Sequence, residues 1–263
     1  MFLHQKELQF EAKPDKPNPL IAKYLQELIG GQYGEMSVAM QYLFQGWSCR
    51  GEEKYKDMLM DIATEEIGHV EMLATMVARL LEGAPVEDQE AAMKKDPAIG
   101  AIISGMNPQH AIVAGLGPRP ADSVGNPWSG AYIIASGNLL ADFRANLNAE
   151  SQGRLQVARI YEMIDDRGVK DLLSVLLARD SYHQNLWAQA VKELEEKEGT
   201  ILVPSTFPRN EERLDIAYDF YNFSEGDQSK EGSWAKGKAL DGEGEYQWLS
   251  TPKVEGKAPK LDP

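Results

Sequence analysis

The 263-residue chain is 43% hydrophobic and 26% charged, and it carries a net charge of −14. That balance fits a soluble globular protein and disfavours partners that need a basic face, namely nucleic acid and anionic membrane. A lone cysteine, Cys49, forbids any intrachain disulfide, and beside ten methionines it points to a reducing, cytoplasmic setting.

The opening "MFLHQKELQFEAKPDK" has no apolar core of a leader peptide, and no apolar run approaches the ~20 residues that span a bilayer. Residues 1–17 read as an arm. Four long helical segments follow. The first runs from Asn18 to Cys49, with apolar residues at helical spacing interrupted by Gly30, Gly31 and Gly34. Glycine costs about 1 kcal/mol in a helix interior, so these three predict a kink or a close helix crossing. The second segment runs from Glu52 to Leu81, with Met58, Ile62, Ile67, Val70, Leu73, Val77 and Leu80 as its apolar stripe. Roughly 45 residues rich in Gly, Pro, Asn and Asp then separate it from the third, a length that suits a long crossover. The third spans Ser129–Asp165 and the fourth Gly168–Lys197. After Gly199 the composition turns to Gly, Pro, Lys and Asp with scattered aromatics. The expectation is a bundle over 1–198 and an irregular tail over 199–263, with Trp234, Tyr246 and Trp248 packing it onto something, such as a neighbouring subunit.

The chemistry lies in polar residues standing where core residues belong. In "ATEEIGHVE", Glu66 and His69 are three apart and share a helix face, while Glu65, four from His69, competes for the same role. Taken alone, such a motif is more often a solvated face than a site. The other three segments change that balance. Glu35 shares its face with Val38 and Ala39, where an unpaired carboxylate is costly to bury. Glu150 falls on the stripe of Leu139, Phe143, Leu147, Val157 and Ile160. Asp180 and His183, again three apart, fall on the stripe of Leu173, Leu176, Trp187 and Val191. The separation of Glu35 from Glu66 nearly equals that of Glu150 from Asp180, so the groups can meet at one depth.

The order is Glu, then Glu-x-x-His, a long crossover, Glu, then Asp-x-x-His. It is close to the ferritin-like arrangement that holds two metals inside a four-helix bundle. The predicted class is therefore all-α, a ferritin-like four-helix bundle with a long crossover between helices 2 and 3. Asp180 departs from the pattern by one methylene. If it falls short of a metal, three carboxylates and two imidazoles remain. Three glutamates nearly balance two divalent ions, and such oxygen-rich sets suit manganese. Asp180 would then act beside the cluster as a proton acceptor, or orient His183.

Several blocks extend the likeness: "GGQYGEMSVAMQY", "IATEEIGHVEML", "SGNLLADFRANLNAESQGRLQVARIYEM" and "ARDSYHQNLW". Across nearly the whole chain the sequence resembles the manganese catalases, a non-haem family. The resemblance implies hydrogen peroxide disproportionation to water and dioxygen at two manganese ions cycling between Mn(II)2 and Mn(III)2. It implies that Glu35, Glu66 and His69 bind one ion, that Glu150 and His183 bind the other, and that Glu66 bridges while Glu65 is only a neighbour. It implies a role for Tyr42 behind a ligand; from its position two turns along, its hydroxyl is expected on Glu35. Some members carry an arginine before the third glutamate, where this chain has Ala149, and Arg154 is a guess at its substitute. The family further implies a hexamer and, in certain members, calcium. Asp57 and Asp61, with Asn222, Ser224 and Gly226 of "NFSEGD", are its candidate ligands. Two other readings compete: a di-iron ferroxidase or peroxidase, disfavoured by the missing fourth glutamate, and a structural spore-coat protein of the same family. His4 and His110 match no motif and are expected in surface or structural roles, and Cys49 in packing.

Overall fold

A computed structural model describes residues 3–82, 105–202 and 206–260. The roughly 45-residue crossover predicted between the second and third helical segments falls partly outside them. The chain divides into two compact units, Met1–Glu193 and Leu194–Pro263.

The first unit is helical. Asn18 caps α1 (Pro19–Gly30), its side chain accepting from the amides of Leu20 and Ile21, and Pro19 supplies a preset first helical residue. The expected kink is a full break. The chain leaves the helix at Gly31 and re-enters at Gly34, so α2 (Glu35–Ser48) begins on Glu35. Gly30 is needed for close approach: a Cβ there would sit 2.4 Å from the backbone of Ala121. The second segment is one helix, α3 (Glu53–Leu81). Its inward face differs from the predicted stripe. Ile67 is 42% exposed, and Met58 and Val70 are half-buried, while Leu59, Ala63, Glu66, His69 and Met76 are buried. Ile62, Leu73, Val77 and Leu80 of that stripe are buried as expected, and it strays from the face only where polar groups occupy the middle.

A short helix, α4 (Pro108–Ile112), precedes α5 (Leu139–Met163). The predicted start of the third segment at Ser129 is ten residues early. Asn138 caps α5 by accepting from Ala141, and Asp142 accepts from the amides of Ser136 and Gly137, the latter at φ +80. These bonds fix a turn where the composition alone had read helix. The last helix is α6 (Arg167–Glu198).

An aliphatic core joins α1, α3, α5 and α6 through Leu25, Leu28, Leu73, Met76, Leu173 and Leu176. Further along the helices an aromatic group forms, with Trp187 4.9 Å from Tyr42 and 5.2 Å from Phe143 between ring centres. On α3, α5 and α6 the buried ionisable residues lie in sequence between these two apolar zones. The arm is pinned as well: Arg79 donates to the carbonyl of Ala12, and the amide of Asp15 donates to the carboxylate of Asp166.

The second unit is not featureless. Strand β3 (Glu245–Leu249) pairs parallel with β1 (Asp219–Tyr221) and antiparallel with β2 (Lys236–Lys238). Trp248 donates to Ser229 within this unit, whereas Trp234 is 55% exposed. The predicted irregular tail therefore contains a small sheet, missed because its strands are three to five residues long.

A buried amide network ties α2 to α5. Asn146 accepts from Gln41 at 2.8 Å and Gln45 at 2.9 Å and donates to Gln45 at 2.7 Å. Replacing Asn146 by Leu should strand those glutamines and cost about 3 kcal/mol, lowering the melting temperature by roughly 6–12 °C. A calorimetric change under about 2 °C would show that the network adds little.

Candidate metal centre

Four elements converge on one buried polar layer. Glu35 comes from the first turn of α2, Glu66 and His69 from α3, Glu150 from α5, and Asp180 and His183 from α6. All six are buried, and both histidines and Glu66 are at most 1% exposed. Among the described residues two donor clusters form, Glu35–Glu66–His69 and Glu66–Glu150–His183, each with its donor atoms within 4.8 Å of one another. Glu66 belongs to both. The five ligands expected from sequence are thus brought together, and Asp180 lies in neither cluster.

The geometry fits metal ions better than mutual hydrogen bonds. The Nδ1 atoms of His69 and His183 approach Glu66 Oε2 and Oε1 at 2.6 and 2.7 Å. Yet both Glu66 oxygens, both His69 ring nitrogens and His183 Nδ1 are buried without a properly directed hydrogen bond. Buried lone pairs on the two Glu66 oxygens and the two Nδ1 atoms, facing one another, are unfavourable unless a cation receives them. The set of three carboxylates and two imidazoles suits a hard to intermediate ion such as manganese.

Without a cation these groups share charge unevenly. Burial, reinforced by the charge of Glu66, pushes Glu35 up to about 8, and the same pair of causes pushes Glu150 up to about 8. Burial and the charges of Glu35 and Glu66 push Asp180 up to about 8. For Glu66 burial opposes ionisation, but His69 and His183 outweigh it and hold the group well below the usual carboxylate range. His183 rises to about 9 because Glu66 outweighs the opposing effect of burial.

Tyr42 is fully buried, and its hydroxyl donates to Glu150 Oε1 at 2.6 Å, not to Glu35 as expected. Two turns along α2 the hydroxyl has crossed the layer and meets α5. Trp187 Nε1 reaches the same oxygen at 3.4 Å. Arg154, the guessed substitute for the missing arginine, donates to Ser181 at the surface. Small residues open the position instead: Ala149 and Gly153 line a crevice with Tyr33, Val38, Glu35, Glu150 and Asp180. It offers about 10 Å³ to a water-sized molecule, near the least that admits one.

Sequence reasoning set Glu65 aside as a neighbour of the ligands and passed over Arg179. Arg179 Nε and Nη2 donate to Glu65 Oε1 and Oε2 at 2.5 and 3.0 Å, and His183 Nε2 lies 3.1 Å from Oε2. His69 Nε2 lies 3.6 Å from Oε1. The signal was present, since Glu65 is four before His69 and Arg179 four before His183. His4 pairs with Glu71 at the surface, and His110 is buried against Gln26. Asp57 and Asp61 are exposed on α3 in the first unit. Asn222, Ser224 and Gly226 belong to the second, where Asn222 Nδ2 donates to the carbonyl of Gly226 and its Oδ1 accepts from Ser224.

Metal-free protein should lose stability as pH rises from about 5 to 9. Glu35, Glu150 and Asp180 bind protons in the folded chain up to about 8 that the unfolded chain releases near 4. The contribution of His183 fades as pH passes about 9. Manganese replaces those protons, so the gap in melting temperature between loaded and metal-free protein should widen with pH. A constant gap in calorimetry across that range would contradict this account.

The comparisons agree with the geometry. Residues 1–263 match the family described as manganese containing catalase. A protein named manganese catalase from Bacillus subtilis (strain 168) is 63% identical over 263 residues, covering all of this chain and 95% of its own length. One of the same name from Lactiplantibacillus plantarum is 44% identical, covering all of this chain and 96% of its own length. The crystal structure of KatB, a manganese catalase from Anabaena, superposes with a TM-score of 0.72 at 28% identity, over 96% of this chain and 100% of its own.

Proposed function

The chain belongs to the manganese containing catalase family, and on that premise we propose how its residues divide the work. The protein is an enzyme that disproportionates hydrogen peroxide to water and dioxygen at a dimanganese site. The observation that carries the assignment of residues is the shared Glu66, buried between two histidines with both oxygens free of hydrogen bonds.

Glu35, Glu66 and His69 hold one ion, and Glu66, Glu150 and His183 hold the other. Bound manganese supplies the redox chemistry, alternating between the two-Mn(II) and two-Mn(III) states. The remaining tasks fall to the chain. Tyr42 and Trp187 fix the Glu150 carboxylate from behind. The narrow crevice beside Ala149 and Gly153 borders Glu35 and Glu150 and is too small for larger reductants. Asp180 lines that crevice beside Glu35 and Glu150 without belonging to either donor cluster. It is placed to pass one of the two protons that peroxide reduction takes up and the next peroxide's oxidation returns.

Dioxygen release from peroxide, followed on an oxygen electrode, tests this reading. Protein from manganese-supplemented cells should evolve gas rapidly, and a Glu66→Ala/His183→Ala variant should not. Absence of gas from wild-type protein carrying about two manganese per chain would sink the assignment.

Family resemblance also supports two ions per chain, a hexamer, and work in the reducing cytoplasm that the single Cys49 suits. No helix among the described residues is long and apolar enough to cross a membrane. Calcium is carried from the same resemblance, with Asp57 and Asp61 of the first unit and, separately, Asn222, Ser224 and Gly226 of the second as candidate oxygen ligands. Chelating calcium should then lower the melting temperature, and Asp57→Ala/Asp61→Ala should abolish that sensitivity. Equal sensitivity in both proteins would remove these aspartates from any calcium site.

A further inference from the structure

We propose that Arg179 is a positioning residue: through Glu65 it sets which nitrogen each of His69 and His183 turns to the metals. The proposal rests on the dimanganese reading above. Its basis is the symmetry of one carboxylate. Glu65 Oε1 takes Arg179 Nε and faces His69 Nε2; Glu65 Oε2 takes Arg179 Nη2 and faces His183 Nε2. A two-pronged arginine–carboxylate pair fixes the plane of the carboxylate as well as its place. Fixing that plane gives each histidine its own oxygen. His183, whose Nε2–H this carboxylate binds, has its lone pair on Nδ1; His69 Nε2, 3.6 Å from the other oxygen, is favoured in the same tautomer by charge, and both Nδ1 atoms point at Glu66.

The fork is itself held. The Arg179 guanidinium lies 4.9 Å from the centre of the Tyr182 ring, and Gln9 from the arm donates to Glu65 Oε1 at 3.1 Å. Arg179 does not line the crevice. Its effect should therefore appear in metal affinity and turnover rather than in peroxide binding. A carboxylate behind an imidazole also makes the ring a stronger donor, and loss of such a partner typically weakens binding or activity about 10- to 100-fold.

The test compares wild type with Arg179→Gln and Arg179→Lys. Manganese(II) dissociation constants come from competition with a chelator, alongside kcat per bound manganese, KM and melting temperature. Arg179→Gln should bind manganese at least about tenfold more weakly, with lower kcat per bound manganese and little change in KM. Arg179→Lys keeps the charge but not the fork, so it should recover only part of the loss. Wild-type affinity and kcat per bound manganese in Arg179→Gln would overturn the proposal. A fall in melting temperature alone would do the same, since it marks a surface clamp. Should Arg179→Gln not fold, Glu65→Gln replaces it. Its amide offers only one acceptor, so manganese affinity should fall similarly, and wild-type affinity there would also overturn the proposal. Failure of wild-type protein to evolve dioxygen would instead count against the catalase reading and leave the affinity comparison standing.

Discussion

The structure depends on burying four carboxylates and two imidazoles in one layer of a helical core. Each such charge taken alone from water costs several kcal/mol, and mutual pairing recovers only part of that. Here the deficit is visible in the site itself. Glu35, Glu150 and Asp180 retain protons far above their ordinary range, while Glu66 stays charged only because two histidines face it. The layer is a compromise without cations and a satisfied site with them. Metal binding and fold stability are therefore coupled through the same atoms.

Apolar packing makes that compromise tolerable. Leu73, Met76, Leu173 and Leu176 form the zone before the layer, and Tyr42, Phe143 and Trp187 the zone after it. These groups exclude water, which strengthens each electrostatic contact, and a small crevice borders the centre. Two members of the aromatic group also serve the site: Tyr42 and Trp187 both direct a polar atom at Glu150. Packing and ligand orientation are not separate layers of the design.

The family resemblance sets Ala149 where some members carry an arginine. Ala149 and Gly153, four apart on α5, leave space beside three acidic side chains rather than a positive charge. The space beside the centre is small, and Asp180 is one of the side chains that line it. The cationic group nearest in function, Arg179, stands behind the histidines, where it acts on their orientation.

The sequence alone picked out the buried acids and histidines that the fold gathers into two donor clusters. Charged residues on otherwise apolar helical stripes can be explained by little else, and the three-residue step in Glu-x-x-His follows from the pitch of a single helix. It also determined that the chain is mainly helical, with four long segments. It did not determine features that depend on what lies across from a side chain. Whether Tyr42 meets Glu35 or Glu150, whether Glu65 is a bystander or an acceptor for His183, and whether the glycines at 30, 31 and 34 kink a helix or end it were decided by neighbouring elements. Periodicity describes one helix at a time. Hydrogen-bond partners, and with them the nitrogen that each histidine turns inward, exist only once α2, α3, α5 and α6 are packed together.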